Sequence, residues 1–240
     1  MEEFFTDYLG YTICGLLVFI TLIIAVVAQV KVNSAYNKYK SVESPLGMTG
    51  AELARQLAVQ EGLAVSIRGC NGHLTDHFNP ADNSLNLSRD NYNGSSIAAH
   101  AIVAHEFGHA MQKEEEYLPY KFRQTTVKIA NVVSKLLVPM IIFGILFDVF
   151  LYSGVGATII YVYVGIYALS FFVSLATLPV EFNASKRAKV ALQAMGGTDH
   201  AANGVSDVLN AAAMTYVAST LVSLAYLLRM LALLRLFSRD

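Results

Sequence analysis

The sequence predicts a mainly α-helical membrane protein with a small α+β unit between its first two membrane-spanning segments. Of its 240 residues, 55% are hydrophobic and only 15% are charged, whereas about a quarter of the residues in a soluble domain are charged. Long uncharged runs alternate with segments rich in capping and turn residues. The formal net charge of −1 gives no indication of nucleic-acid binding, and the two cysteines form no disulfide framework.

Four apolar runs are predicted to be transmembrane or membrane-associated helices. The first covers residues 8–30 without a charge, and a spanning helix needs roughly 20 residues. Acidic residues precede it where a signal peptide would be basic, so we interpret it as a permanent anchor. Two further helices are predicted near 134–152 and 156–179, and a fourth apolar run covers 208–228.

Lysine and arginine flank these runs unevenly. They follow the first run, precede the second and follow the third, while the N-terminus has none. The positive-inside rule therefore predicts an outside N-terminus and cytoplasmic residues 31–133 and 181–207. The arginines of the last segment do not fit a simple crossing, so its depth stays open. The predicted divisions are an anchor (1–33), a cytoplasmic unit (34–133), a membrane hairpin (134–180), a cytoplasmic segment (181–207) and a membrane-associated helix (208–240).

The cytoplasmic unit is predicted to contain a helix, a short sheet and a second helix. Thr49 to Glu52 form a capping box at the start of the first helix, and Glu61-Gly62 end it. Three alternating runs then predict a two- or three-stranded meander, with a hairpin at Asn71-Gly72. Ser96 caps a helix that runs to about Gln112. The alternating runs are 64–68, 73–78 and 84–88.

The second of these helices contains the motif H-E-x-x-H at His105, Glu106 and His109. Residues four apart lie about 40° apart around a helix, so both histidines can reach one metal ion. Glu106 is turned about 100° away, where it can act as the general base toward a zinc-bound water without ligating the metal. The motif therefore predicts a zinc hydrolase site, with a pair of structural histidines as the alternative.

A catalytic zinc ion needs a third protein ligand and one open position. Glu181 is the best candidate, because it is the acid nearest to the predicted end of the third span. Its alternative interpretation is a solvated residue at the membrane interface. The rival carboxylates for the third position are Asp76, Asp82, Asp90, Asp199 and Asp207.

The remaining histidines are weaker candidates for chemistry. His100 projects about 140° away from His105, so we expect a hydrogen-bonded helix residue and not a ligand. His77 is predicted either to donate to the oxyanion of a tetrahedral intermediate or only to pair with Asp76. His73 and His200 are expected on the surface.

Four stretches together resemble the YugP-like membrane zinc metallopeptidases, a bacterial family. The resemblance extends from about Gly47 to Tyr216 and implies a zinc peptidase in the plasma membrane. It also implies that His105, His109 and Glu181 are the zinc ligands and that Glu106 is the base. The matching stretches are GHLTDHFNP (72–80), SIAA (96–99), AHEFGHAMQ (104–112) and LPVEFNAS (178–185).

A more distant similarity is to the membrane gluzincins of the HtpX-type and CAAX prenyl protease groups, which implies a zincin-like catalytic unit. There an Asp four residues after the ligating Glu supports a ligating His. This chain has Ser185 at that position, so a hydroxyl is expected to take over the support. In those relatives the substrate adds as a strand beside the metal. The similarity implies such an edge at 72–78, with Leu74 and Asp76 as substrate-binding residues.

The sequence thus predicts a membrane-integrated, zinc-dependent endopeptidase. It is expected to hydrolyse membrane proteins or membrane-associated peptides at the cytoplasmic membrane surface, by Glu-assisted attack of zinc-bound water. Two alternatives remain: a catalytically silent, zinc-stabilised membrane scaffold, and a zinc hydrolase of a non-peptide substrate. An intramembrane site-two-type protease is disfavoured, because the apolar stretch 97–111 is too short to span a bilayer.

Overall fold

The computed structural model describes residues 2–132 and 155–237, which are mostly helical and contain one three-stranded sheet. The predicted helix near 134–152 lies outside the described residues. The helices are α1 (Glu2–Lys40), α2 (Gly50–Gln60), α3 (Arg89–Asn93), α4 (Ile97–Glu114), α5 (described over 118–132), α6 (Val155–Ala194) and α7 (Asp199–Phe237). The strands are β1 (Ser66–Cys70), β2 (His77–Asn79) and β3 (Ser84–Ser88).

The chain forms two compact units, one of residues 1–27, 122–177 and 216–240 and the other of residues 28–121 and 178–215. Three described helices are long and apolar enough to cross a membrane. Large apolar side chains of α1 such as Phe19 and Val26 are exposed, as expected of residues that face lipid. The candidate spans are Thr6–Lys40, Ile160–Ala194 and Asp199–Leu236.

In the first unit, the beginning of α1 lies beside the end of α7. Arg235 Nε is 3.0 Å from Asp7 Oδ1, and the Asp7 side chain is only 5% exposed. One turn further along, Arg229 donates to the Tyr11 hydroxyl over 3.0 Å. The two helices therefore run antiparallel, and two of the arginines that do not fit a simple crossing have partners on α1.

Helix α6 continues well beyond its predicted end at residue 179. Pro179 lies inside the helix, where the missing amide and the ring cost about 3 kcal/mol. Ala184 and Ala188 beyond it are fully buried, so packing offsets this cost. Glu181 consequently lies on a helix and not in a segment that follows one.

The second unit is built around α4, which is buried along most of its length. The capping box of α2 is confirmed, with reciprocal bonds between Thr49 and Glu52, and the predicted cap of α4 is confirmed by the bond from Ala99 N to Ser96 Oγ. The largest apolar side chains of this core come from α1, α2, β3, α4 and α7. They include Tyr36, Leu53, Leu57, Leu85, Leu87, Ile97, Val103, Phe107 and Leu209.

The predicted meander and its hairpin at Asn71-Gly72 are wrong. The strand order is β1-β3-β2, with β1 parallel and β2 antiparallel to β3. Gly72 and Leu74 have positive φ, and Asp76 accepts bonds from Ser88 N and Oγ at 2.8 Å. These contacts direct the chain past β3, so that β2 pairs with the edge of β3 opposite to the one that pairs with β1. The hairpin instead joins β2 to β3 through residues 80–83, and only residues 77 and 78 of the predicted edge 72–78 are strand.

Candidate metal centre

Helix α4 presents His105 and His109 one turn apart on the same face. Both residues are mostly buried, at 9% and 7% exposure, and their ring centroids are 5.0 Å apart. The cap at Ser96 and the buried apolar residues around the motif fix the helix in place. Two imidazoles are therefore held close together away from bulk solvent.

Helix α6 brings Glu181 to the same place. Its carboxylate is 2% exposed, and Oε2 lies 3.2 Å from His105 Nε2 and 3.6 Å from His109 Nε2. The close approach of the helices depends on Gly108, because a Cβ at that position would lie 2.8 Å from the Ala184 carbonyl oxygen. The small residues on the two facing surfaces thus allow a carboxylate 72 positions after His109 to reach both rings.

The geometry of these three groups fits a zinc ion. One donor atom from each residue lies within 4.8 Å of the other two. In a tetrahedral zinc site with bonds of about 2.0–2.1 Å, the donor atoms are about 3.4 Å apart, and the two distances to Glu181 Oε2 lie on either side of that value. Two imidazoles and a carboxylate are also a donor set found in catalytic zinc sites, which keep a fourth position open.

Glu106 points toward the edge of the sheet. Its Oε2 accepts a hydrogen bond of 3.1 Å from the backbone amide of Phe78 in β2. Since that amide bonds to Glu106, it points away from β3, to which β2 is paired. The predicted base is therefore anchored to the strand that forms one edge of the described sheet.

Two polar side chains contact the outer nitrogens of the imidazoles. Ser185 Oγ is 3.2 Å from His105 Nδ1, and Gln112 Oε1 is 3.0 Å from His109 Nδ1. The sequence interpretation included Ser185 and missed Gln112. The available signal was a polar residue three positions after His109, on the same face of an apolar helix.

The electrostatic surroundings of His109 favour its protonated form in the metal-free protein. Burial acts to lower the pKa of His109. The Glu181 and Glu106 carboxylates, together with the bond to Gln112, more than offset this effect, so the pKa lies above its usual value. A proton and a metal ion therefore compete for this ring.

The other predicted site residues lie near the β2 strand. His77 is exposed, and its Nδ1 is 2.8 Å from the Thr75 carbonyl. Since a carbonyl only accepts, Nδ1 donates, and Nε2 could donate to an oxyanion only in the imidazolium form. Asp76 is occupied by its bonds to Ser88 and to Asn91 Nδ2, while Leu74 packs against the core. The catalytic role of His77 and the substrate-binding roles of Leu74 and Asp76 stay predictions.

The expected role of His100 as a hydrogen-bonded helix residue is confirmed. Its ring nitrogens lie 2.8 Å from Ser44 Oγ and 2.8 Å from the Met48 carbonyl, and burial lowers its pKa. Several rival carboxylates have other partners: Asp82 pairs with Arg68, Asp90 with Lys40 and Asp207 with Lys38. His73 and His200 are exposed, as predicted.

Comparison with known proteins agrees with this chemistry. A family model described as "Putative neutral zinc metallopeptidase" matches residues 14–235. The chain is 40% identical over 204 residues to a Bacillus subtilis (strain 168) protein named "Putative membrane protease YugP", which covers 84% of this chain and 88% of that protein. No solved structure matches the chain. With a family match over almost its whole length, the chain belongs to this zinc metallopeptidase family.

Proposed function

We propose that the protein is a membrane-integrated zinc endopeptidase that cleaves membrane-associated substrates at the cytoplasmic face of the membrane. The observation that carries the proposal is the convergence of His105, His109 and Glu181 within 4.8 Å, with Glu106 on the same helix. Those three residues would hold the zinc ion, and Glu106 would be the general base. This is a gluzincin-type arrangement, with a glutamate as the third ligand.

The chain's own residues divide the reaction between them. A bound zinc ion would supply Lewis acidity, which polarises the scissile carbonyl and makes water a better nucleophile near neutral pH. Glu106 accepts the proton of the attacking water and passes it to the leaving amine. The Phe78 amide holds the Glu106 carboxylate in position for this transfer. The retained base argues against a silent scaffold, since a structural metal site needs only ligands.

The edge strand β2 is suited to binding an extended peptide. Within the described residues it is paired with β3 alone, and its Phe78 amide faces Glu106. A peptide that adds as a further strand along this edge would place its backbone carbonyls beside the metal centre. Lys113 stabilises this arrangement, because its Nζ donates to Pro80 O and Asn83 Oδ1 and so ties the β2–β3 hairpin to α4.

The cytoplasmic membrane boundary is supported by the distribution of charge along the chain. Glu181 directly follows the uncharged run 149–180, and basic residues follow it at Lys186, Arg187 and Lys189. By the positive-inside rule, this end of α6 faces the cytoplasm. A metal site on the first turns beyond an apolar segment would meet peptide bonds close to the membrane surface.

Reconstitution tests the proposed substrate class. The purified protein is placed in vesicles with one peptide sequence, either tethered to a transmembrane helix or free in solution, and Glu106→Gln serves as the inactive control. We expect the wild type to cleave the tethered form faster than the free form, and the control to cleave either form at least about 100-fold more slowly than the wild type. Cleavage of the soluble peptide alone would contradict a membrane-associated substrate, and turnover of only non-peptide substrates would contradict an endopeptidase.

A further inference from the structure

We propose that Gln112 is a positioning residue that fixes the tautomer of His109, and that the Val180 carbonyl and Asn183, whose amide Arg187 orients, together set the orientation of Gln112. This inference rests on the proposed metal centre. It identifies the side chains that determine which ring nitrogen of one proposed ligand, His109, carries the proton. It links α4 and α6 through a chain of side chains that begins at a partly exposed ion pair and ends at the metal face.

The chain of hydrogen bonds begins at a group that can only donate. Arg187 Nε lies 2.7 Å from the side-chain oxygen of Asn183, and a guanidinium has no acceptor atom. The amide atom that faces Arg187 must therefore be the oxygen, although oxygen and nitrogen of an amide are not distinguished by shape alone. Arg187 is itself held by a two-point contact with Glu115, the residue that caps the C-terminal end of α4.

The next group is Gln112, which is fully buried. One end of its amide lies 2.8 Å from the Val180 carbonyl and 3.0 Å from Asn183 Oδ1. Both of these atoms accept, so this end must be the NH2 group. The reverse orientation would bury an oxygen against two other oxygens, which costs free energy without any compensating bond.

The orientation of Gln112 determines the protonation of His109. The remaining Gln112 oxygen lies 3.0 Å from His109 Nδ1 and can only accept, so the neutral ring carries its proton on Nδ1. The lone pair is therefore on Nε2, the nitrogen that lies 3.6 Å from Glu181 Oε2. Once neutral, a ring held in this tautomer presents the Nε2 lone pair to the metal ion and needs no transfer of a proton between its two nitrogens.

His105 is held less strictly. Its Nδ1 faces the Ser185 hydroxyl at 3.2 Å, and a hydroxyl both donates and accepts. Either tautomer of His105 is compatible with this partner. Gln112 therefore has the stronger effect on metal affinity of the two outer contacts.

The test uses the full-length protein in detergent and two measurements that do not require catalysis. Zinc affinity is measured by competition with a chromophoric chelator, and the visible spectrum of bound Co²⁺ reports the geometry of the ligands. Gln112→Met removes the acceptor at similar side-chain size, and Arg187→Met removes the donor at the start of the chain. Gln193→Met is the matched control, since that exposed glutamine lies on α6 outside the network.

We expect Gln112→Met to lower zinc affinity about 10- to 100-fold, as is typical for loss of a hydrogen-bond partner of a ligating histidine, and to alter the Co²⁺ spectrum. Arg187→Met should alter the spectrum in the same direction with a smaller loss of affinity, and Gln193→Met should match the wild type. If Gln112→Met does not fold, Arg187→Met decides the question, because it replaces no residue that contacts the metal ligands.

A wild-type affinity and spectrum in Arg187→Met would overturn the proposal, as would reduced affinity with an unchanged spectrum in Gln112→Met, which indicates a merely structural role. A wild-type protein that binds no zinc would instead overturn the proposed function itself. Wild-type zinc binding and cleavage with unaltered variants would overturn the inference about Gln112 alone.

Discussion

His109 is surrounded by groups that act on its proton in opposite directions. Burial disfavours the imidazolium, while the carboxylates of Glu181 and Glu106 stabilise it and raise the pKa overall. The same carboxylate that favours the proton, Glu181, is the predicted partner of His109 in holding the metal ion. Zinc and a proton are therefore alternative ligands of the His109 ring.

Zinc binding should weaken on acidification because of His109. A protonated Nε2 has no lone pair for a metal ion. The zinc affinity therefore reaches its full value at pH values above the raised pKa of His109 and falls as the pH decreases through that pKa. The metal-free protein responds in the opposite sense, since the stability that the raised pKa provides is present at low pH and is lost as pH rises through the folded-state pKa. Zinc titrations between about pH 8 and about pH 5, around the usual pKa of histidine, check this; constant affinity would contradict it.

Single residues of the site differ in how far the sequence predicts them. His105, Glu106 and His109 are recognisable because their geometry depends only on the turn of one helix. Glu181 was one of several candidate acids, since its position depends on how α6 packs against α4. Gln112 was missed because its role depends on Val180 and Asn183, which lie 68 and 71 positions away.

At the scale of secondary-structure elements, the site depends on how closely α4 and α6 approach. Gly108 meets the backbone of Ala184, and the facing side chains at Ala184 and Ser185 are small. Glu181 lies one turn before Ala184 on the same face of α6. The distance between the helices therefore sets the distance between the carboxylate and the two rings.

Gly108→Ala should weaken metal binding by separating these helices. The new Cβ would lie 2.8 Å from the Ala184 carbonyl oxygen and 3.2 Å from its Cα, and backbone atoms cannot rotate away. We expect a loss of about 1–3 kcal/mol in stability from overpacking, together with lower zinc affinity. Thermal unfolding with and without zinc measures both effects.

Gly165→Ala is the matched control, because a Cβ at that position of α6 meets nothing within 4 Å. It should be neutral or slightly stabilising, since alanine favours a helix over glycine by up to about 1 kcal/mol. Equal behaviour of the two alanine variants would show that the contact between Gly108 and Ala184 does not limit the metal centre.

The elements that were predicted correctly carry their signals locally. The caps at Thr49 and Ser96 need only residues within one turn. The sheet order could not be predicted from the Asn71-Gly72 signal, because Asp76 anchors the following segment to Ser88 and moves β2 beyond β3. The length of α6 was underestimated because buried packing past Pro179 outweighs the local preference to end there.

At the scale of the whole molecule, the contacts between α1 and α7 bear on how the last helix lies in the membrane. Asp7 pairs with Arg235 and Tyr11 with Arg229, so the start of α1 and the end of α7 lie side by side. The buried Asp7 carboxylate also reduces the free-energy cost of placing Arg235 at the predicted outer side of the membrane. We propose that these pairs allow the last helix to cross the membrane despite its positive charges.

We therefore expect both termini to be accessible from the same side of the membrane, and residues 31–133 from the cytoplasmic side that the positive-inside rule predicts for them. Epitopes at the two ends are probed in sealed vesicles of known orientation with a reagent that does not cross the bilayer. A cysteine at the exposed position Val59, in a protein whose Cys14 and Cys70 are serine, reports the opposite side. An epitope at the C-terminus on the side of the Val59→Cys label would contradict a complete crossing by α7.

The central claim is that His105, His109 and Glu181 hold a zinc ion which Glu106 assists in peptide hydrolysis. The most direct measurement determines bound zinc and peptide cleavage together in wild type, Glu106→Gln and Glu181→Ala. Glu106→Gln should retain zinc and lose about 10²- to 10⁴-fold in cleavage rate, the usual contribution of a general base, whereas Glu181→Ala should lose both. Wild-type cleavage by Glu106→Gln, or full zinc occupancy in Glu181→Ala, would contradict the claim.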